Sequence, residues 1–296
     1  MPYEIGLVLE GGGMRGVFTS GLCDALLDYG VRFPYVIGAS AGASNGCCFV
    51  ARQRGRNRFV NIDMHALRPY VGLRSVLRGQ GVIDLDFIFN EVEQKFYPFD
   101  FETYSASPTR LVIVSTSALT GQAVYTEEKR DFRRFADACR SSCSLPILCP
   151  QWHVDGQPMV DGGVADSIPF NRALADGCRR VVVVMTKEAS YRRIDSRMWI
   201  PSRIYKDFPQ LREALATRGI RYNMQLDQMW RLQEQGIAHV VCPTDLHGVT
   251  RTTRDVEPLE KLYADGLRAG RDLALWLERN GYSKPLTHTP PQKWQT

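Results

Sequence analysis

The chain has 296 residues, 44% of them hydrophobic and 23% charged, with a formal net charge of +5. That suffices for one sizeable domain with an appendage, or for two small ones. No apolar run approaches the ~20 residues of a membrane-spanning helix, and the opening residues lack the basic and apolar regions of a signal peptide, so a cytoplasmic chain is expected.

The first predicted element is the continuous apolar run Ile5 to Glu10, a buried parallel strand closed by Gly11-Gly12-Gly13. Helical spacing follows from Val17 to Tyr29, and Phe33 to Ala39 is a second strand. It ends in Gly38-Ala39-Ser40-Ala41-Gly42 and a run of small residues, the pattern of a nucleophile elbow. In such an elbow the chain leaves a strand, turns at the serine and enters a helix, and Gly38 and Gly42 keep strand and helix from clashing. A right-handed crossover puts both glycine-rich turns at one carboxyl edge of the sheet.

Residues 59 to 108 read as short helices and loops covering the sheet edge. Leu111 to Thr116 and Ala123 to Thr126 are strands, and Phe132 to Cys139 is a short helix before a turn-like Ser141 to Pro146. Trp152 to Val154 and Pro158 to Val160 form a hairpin about Asp155-Gly156 and deliver Asp161-Gly162-Gly163. Arg180 to Met185 is another buried strand. Beyond residue 200 the pattern is mainly helical, with Ile204 to Leu215, Tyr222 to Gln235 and Pro258 to Arg279, interrupted by a strand at Ala238 to Cys242. The organisation expected is a catalytic domain over 1–200, a mainly helical extension over 201–282 and a disordered tail over 283–296.

Cys139, Cys143 and Cys149 lack paired metal-ligand spacing and have no histidine to complete a set, while Cys23, Cys47, Cys48 and Cys178 read as buried thiols. No metal and no cofactor is expected. The run Arg52, Arg54, Arg56, Arg58 reads as a solvated helix end, with contact to anionic head groups as the second reading. No aromatic residues are interleaved with it, so nucleic acid is not an expected partner.

Gly11-Gly12-Gly13-Met14-Arg15-Gly16 satisfies G-x-G-x-x-G after a strand. A dinucleotide fold, however, wants an acidic residue at the end of the second strand, where this chain has Gly-Ala-Ser. A phosphate-binding loop would need Gly-Lys-Ser/Thr, which is absent. What remains is a nest of backbone N–H groups beside a poised serine, which suits an oxyanion hole; Arg15 adds positive charge or pins the loop. The serine needs a base, and the order Ser…Asp…His could recruit His239 or His247. That order belongs to a fold whose elbow follows several strands, whereas one strand precedes Ser40 here. Asp161 is the better partner, provided that it is desolvated and set against the serine.

Together, Gly-Gly-Gly-x-Arg-Gly, Gly-x-Ser-x-Gly and Asp-Gly-Gly, in this order and spacing, resemble the patatin-like phospholipases, bacterial members included. Ser141 to Pro146 and Val164 to Pro169 are similar to segments flanking that family's catalytic aspartate. The resemblance covers residues 5 to about 190. It implies a three-layer α/β/α fold with a mainly parallel sheet and hydrolysis of lipid acyl esters. It further implies a Ser40–Asp161 dyad without histidine and an oxyanion hole from the glycine loop, Gly11 to Gly16, with Gly162 and Gly163 supporting the aspartate. The expected partner is a lipid substrate, with peripheral contact at the inner membrane face. The competing readings are a non-lipid carboxylesterase or thioesterase, and a catalytically idle patatin-fold protein that binds lipid or protein.

Overall fold

A computed structural model describes residues 3–68, 70–72, 81–194 and 196–283. The expected tail over 283–296 therefore lies, but for Ser283, outside the described residues, as do residues 73–80 of the stretch read as a sheet-edge cover. Eight strands among the described residues build one sheet: β1 (Tyr3–Leu9), β2 (Tyr35–Ala39), β3 (Arg110–Ser117), β4 (Ala123–Thr126), β5 (Trp152–Val154), β6 (Gln157–Asp161), β7 (Cys178–Val184) and β8 (Ala238–Val241). Their order is β5-β6-β3-β2-β1-β7-β8, with β4 also on β3. The contacts β3/β2, β2/β1, β1/β7 and β7/β8 are parallel, and those of β4, β5 and β6 antiparallel.

The central strands carry apolar runs, Ile5 to Leu9, Leu111 to Val114 and Val181 to Val184, where helices cover both faces. Leu7, Leu9, Val36, Leu111, Ile113, Val182 and Val184 point to one side. They meet α1 (Val17–Asp28), α2 (Ala41–Val50), α4 (Phe132–Cys143) and α8 (Val256–Arg279). Val8, Ile37, Val112, Val114, Val181 and Val183 point to the other side. There they meet α5 (Phe170–Ala175) and α7 (Arg218–Glu234). This is the expected three-layer α/β/α arrangement. α6 (Pro209–Ala216) closes a smaller cluster with Ala118, Val160 and Val164. Residues 201–282 are mainly helical, and they enter the same assembly: β8 extends the sheet beside β7, and α8 lies along α1. No helix among the described residues is long and apolar enough to cross a membrane.

Several boundaries depart from the sequence reading. Helix α4 runs on to Cys143 through the segment read as a turn. Its serines are buried and their hydroxyls are satisfied, Ser141 Oγ by the Ala138 carbonyl at 2.9 Å and by Ser115 Oγ at 2.7 Å. Helix α6 begins at Pro209 rather than at Ile204, since Tyr205 has φ 52° and Pro209 occupies the first turn, where its missing N–H costs nothing. Helix α5 was not anticipated. The stretch 59–108 holds helical segments at Phe59–Asp63, Met64–Leu67 and Phe87–Phe96 and a short helix α3 (Phe101–Ala106), whose apolar residues join the α1–α2 core.

The arginine run is not a solvated helix end. Arg54 pairs with Asp28 at 2.6 Å, buried Arg56 with Glu93 at 2.6 Å, and Arg58 with Asp63 at 2.8 Å and with Glu260. Of the four, Arg52 faces solvent.

Candidate active site

The register of β3 sets the site. β2 pairs with β3 up to Ala39↔Val114, and the next residue of β3, Ser115, pairs with Asp161 of antiparallel β6. β4 occupies the opposite edge of β3 over the same residues. β6 therefore fills the place that β2 vacates when the chain turns at Ser40, and the ends of the two strands meet head-on.

Ser40 has φ 56° and ψ −127°, a left-handed conformation that costs a non-glycine residue about 1–3 kcal/mol. Helix α2 starts at once with Ala41. A β-carbon at Gly42 would sit 2.2 Å from the Leu9 carbonyl oxygen, and one at Gly162 would sit 2.1 Å from that of Val114. The elbow and the Asp161 turn are thus pressed against the neighbouring strands. Gly38 lies under α2 and Gly163 beside Asp161. The Ser40 N–H donates to Ser142 Oγ at 2.9 Å, and that hydroxyl donates to the Val114 carbonyl at 2.5 Å. One side chain from α4 thereby ties the strained residue to β3.

Asp161 is buried and held through three groups. Its N–H donates to the Ser144 carbonyl at 2.8 Å, its own carbonyl accepts from Thr116 Oγ1 at 2.9 Å, and Oδ1 accepts the Gly163 N–H at 2.8 Å. The other carboxylate oxygen, Oδ2, is buried without a hydrogen-bond partner among the described residues. Burial pushes the carboxyl pKa above the usual range; the Arg218 charge, the nearby Ser40 hydroxyl and the Gly163 amide oppose part of that rise.

The glycine loop lines the same cleft as Ser40 and Asp161. Met14 donates its N–H to the Arg251 carbonyl at 3.2 Å, and Gly13, at φ +58°, passes so close to that carbonyl that a β-carbon would be 2.7 Å away. Of the expected oxyanion donors, Met14 is thus committed elsewhere, and its side chain instead lines an apolar cavity. The Gly11 carbonyl accepts from Thr186 Oγ1 at 3.0 Å, and Thr186 also bonds the buried Glu10. Burial favours protonation of Glu10, but Lys187, Thr186 and Tyr222 outweigh it and hold the carboxylate charged. Gly16 packs on Ala41 of the elbow helix.

Two cavities meet at Ser40. One, of about 120 Å³, runs past Met14, Cys47, Val60, Ile88, Phe135 and Ala136. The other is a small cleft of about 20 Å³ that holds Gly11 to Gly13, Ser40 and Asp161 together with Arg15, Arg193, Arg218 and Arg251. Neither is lined by a histidine among the described residues. His239 stacks on Trp276 with ring centroids 3.9 Å apart, and His247 pairs with Asp265 at 2.7 Å.

Sequence reasoning missed Ser142, Thr116 and the three arginines from the second half of the chain. Ser142 lay in the segment read as a turn and Thr116 at the end of a predicted strand; the arginines lay in no motif.

The patatin-like phospholipase family model matches residues 7–174, more than half of the chain, and a domain of unknown function (DUF6363) matches residues 208–275. The uncharacterized protein YjjU of Escherichia coli is 28% identical over 198 residues, which cover 62% of this chain and 52% of that protein. Lysophospholipase NTE1 of Saccharomyces cerevisiae is 22% identical over 284 residues, 90% of this chain but 16% of its own length. An uncharacterized NTE family protein of Mycobacterium tuberculosis (strain ATCC 25618 / H37Rv) is 28% identical over 61% of this chain and 30% of its own. The chain thus spans about half the length of the first of these relatives and less of the others. Among solved structures, VipD of Legionella pneumophila shares the fold over 94% of this chain and 67% of that one, with a TM-score of 0.50 at 14% identity. With its glycine loop, elbow and Asp-Gly-Gly turn inside the matched span, the chain belongs to the patatin-like phospholipase family.

Proposed function

We propose that the chain hydrolyses acyl esters of lipids through a Ser40–Asp161 dyad. The observation that carries this reading is the meeting of Ser40, strained and exposed to two cavities, with a buried carboxylate that has one oxygen unpartnered in the same cleft. Asp161 Oδ2 takes the hydroxyl proton as Ser40 Oγ attacks the ester carbonyl. The N–H groups of Gly12 and Gly13 receive the tetrahedral oxyanion, aided by Arg15. The C–O bond then breaks, and the alcohol leaves with the proton from Asp161. A water gives a proton to the same carboxylate as it attacks the acyl-serine, the bond to Ser40 Oγ breaks, Oγ takes that proton back from Asp161, and the fatty acid is released. The apolar cavity takes the acyl chain, which favours a lipid over a small ester. The name of the yeast relative makes a lysophospholipid the first substrate to test. Contact with the membrane would be peripheral.

A fluorophosphonate probe should label the wild type and not Ser40→Ala. Hydrolysis of nitrophenyl butyrate and of a lysophospholipid should fall at least 1000-fold in that variant while its circular dichroism is unchanged. A folded Ser40→Ala protein that keeps its activity would refute the nucleophile.

A further inference from the structure

Four arginines line the small cleft beside Ser40, and three of them come from beyond the span matched by the patatin-like model. Arg193 follows β7, Arg218 opens α7, and Arg251 lies in the loop before α8. Arginines elsewhere in the chain, such as Arg54, Arg56, Arg58, Arg110 and Arg134, sit on carboxylates. None of the four in the cleft has such a partner among the described residues. Nε of Arg15, of Arg193 and of Arg218, and Nη2 of Arg15, are sealed from solvent without a hydrogen-bond acceptor among the described residues.

The side chains are held in place without being neutralised. The Arg193 guanidinium lies 4.5 Å over the Tyr222 ring, and its backbone exchanges two hydrogen bonds with the Asn223 side chain, at 3.0 and 3.1 Å. Arg251 is anchored by its carbonyl on Met14, and Arg218 Nη2 lies over Gly163, within 3.0 Å of where a β-carbon would stand. The nearby Glu10 is already matched by Lys187. This leaves four guanidinium groups facing the single carboxylate of Asp161. Buried donors without acceptors, and like charges set together, are costly unless an anion completes them.

We infer that this cleft is a phosphate subsite, and that the C-terminal part of the chain selects lipids bearing a phosphomonoester next to the scissile ester. The inference rests on the hydrolase reading for its substrate. With the acyl chain in the apolar cavity and the ester at Ser40, the glycerol phosphate falls among the arginines. Planar guanidinium groups match phosphate oxygens two at a time. A dianionic phosphomonoester satisfies more of the excess charge than a diester carrying a choline cation, which the same arginines repel.

The test compares 1-oleoyl lysophosphatidic acid, 1-oleoyl lysophosphatidylcholine and monooleoylglycerol as monomers, with inorganic phosphate as the free anion. In the wild type, kcat/KM should favour lysophosphatidic acid over monooleoylglycerol by about 100-fold. Arg193→Gln and Arg251→Gln should each reduce that preference about tenfold or more, mainly through KM, with partial recovery in the lysine variants. Direct titration of Ser40→Ala with lysophosphatidic acid should show the same dependence on the two arginines. Arginine-dependent binding there, with no hydrolysis of any ester by the wild type, would support the subsite and remove the hydrolase reading. Hydrolysis of all three lipids with equal efficiency, unaffected in folded Arg193→Gln and Arg251→Gln, would keep the hydrolase reading and overturn the subsite. Inorganic phosphate binding as tightly as lysophosphatidic acid would also overturn it, since a lipid ligand gains from its acyl chain.

Discussion

Ser142 is the residue whose removal best tests how the elbow is held. In Ser142→Ala, two buried backbone groups lose their partner at once: the Ser40 N–H, now bonded at 2.9 Å, and the Val114 carbonyl, now bonded at 2.5 Å. An unsatisfied buried group costs about 1–3 kcal/mol, and partial relaxation of the turn brings the pair to about 3 kcal/mol in total. That is roughly a hundredfold shift in the unfolding equilibrium. Freed from its anchor, Ser40 can relax from φ 56°, which itself holds about 1–3 kcal/mol of strain, so kcat should fall about tenfold with KM nearly constant. Ser144→Ala is the control, because among the described residues its hydroxyl bonds only the Arg140 carbonyl, at 2.9 Å, at the end of the same helix. Urea unfolding followed by tryptophan fluorescence and nitrophenyl butyrate kinetics would be run on both variants. If Ser142→Ala is as stable as Ser144→Ala, or keeps its full kcat, the bridging hydroxyl does not hold the elbow.

Two further outcomes follow from the site. Because burial raises the pKa of Asp161 and the Arg218 charge opposes that rise, activity should be lost on acidification above the ordinary aspartate range of ~3.9. Removing the cation in Arg218→Gln raises the carboxyl pKa further, so the acid limb of kcat/KM should move to higher pH; a limb that stays put or moves down refutes the carboxylate as base. Filling the apolar cavity with Ala136→Phe should lower the ratio of palmitate to butyrate ester turnover at least tenfold, and an unchanged ratio in the folded variant would place the acyl chain elsewhere.

How much of this was legible in the sequence depended on the range of the interactions. The glycine loop, the elbow and the Asp-Gly-Gly turn are local: each needs small residues within a few positions because backbones touch there, and that requirement is written in the residues themselves. The strands were legible for the same reason, since full burial on both faces demands unbroken apolar runs. The arginines were not. Arg56 and Arg58 look like solvated charges until Glu93 and Glu260, 37 and 202 positions away, are folded against them. Arg193, Arg218 and Arg251 look equally ordinary, and their significance lies in convergence, which no local pattern carries. The serines of Ser141 to Ser144 misled in another way: hydroxyls that compete with helix bonds in a solvated turn here satisfy a buried helix end and two strand edges.

The sheet itself can account for the proposed absence of an imidazole. A carboxylate is a poor base in water, and raising its affinity for a proton requires dehydration together with a fixed distance to the hydroxyl. In this chain both come from adjacent residues of one strand. Val114 pairs with the last residue of β2 before the serine, while Ser115 pairs with the aspartate at the end of β6. The strand ends that carry the proposed nucleophile and base therefore lie opposite neighbouring residues of β3, about 3.3 Å apart along that strand. The carboxylate lies buried there, 1% exposed. A histidine, with its longer side chain and its need for a third residue to orient it, would have no room between two strand ends that meet on neighbouring residues. The glycine loop is tied as well: the Met14 N–H donates to the Arg251 carbonyl, and Gly13 passes close to the same carbonyl. In the proposed mechanism the segment from β8 to α8 bears on the oxyanion loop through its backbone and, in our inference, on substrate choice through its side chains.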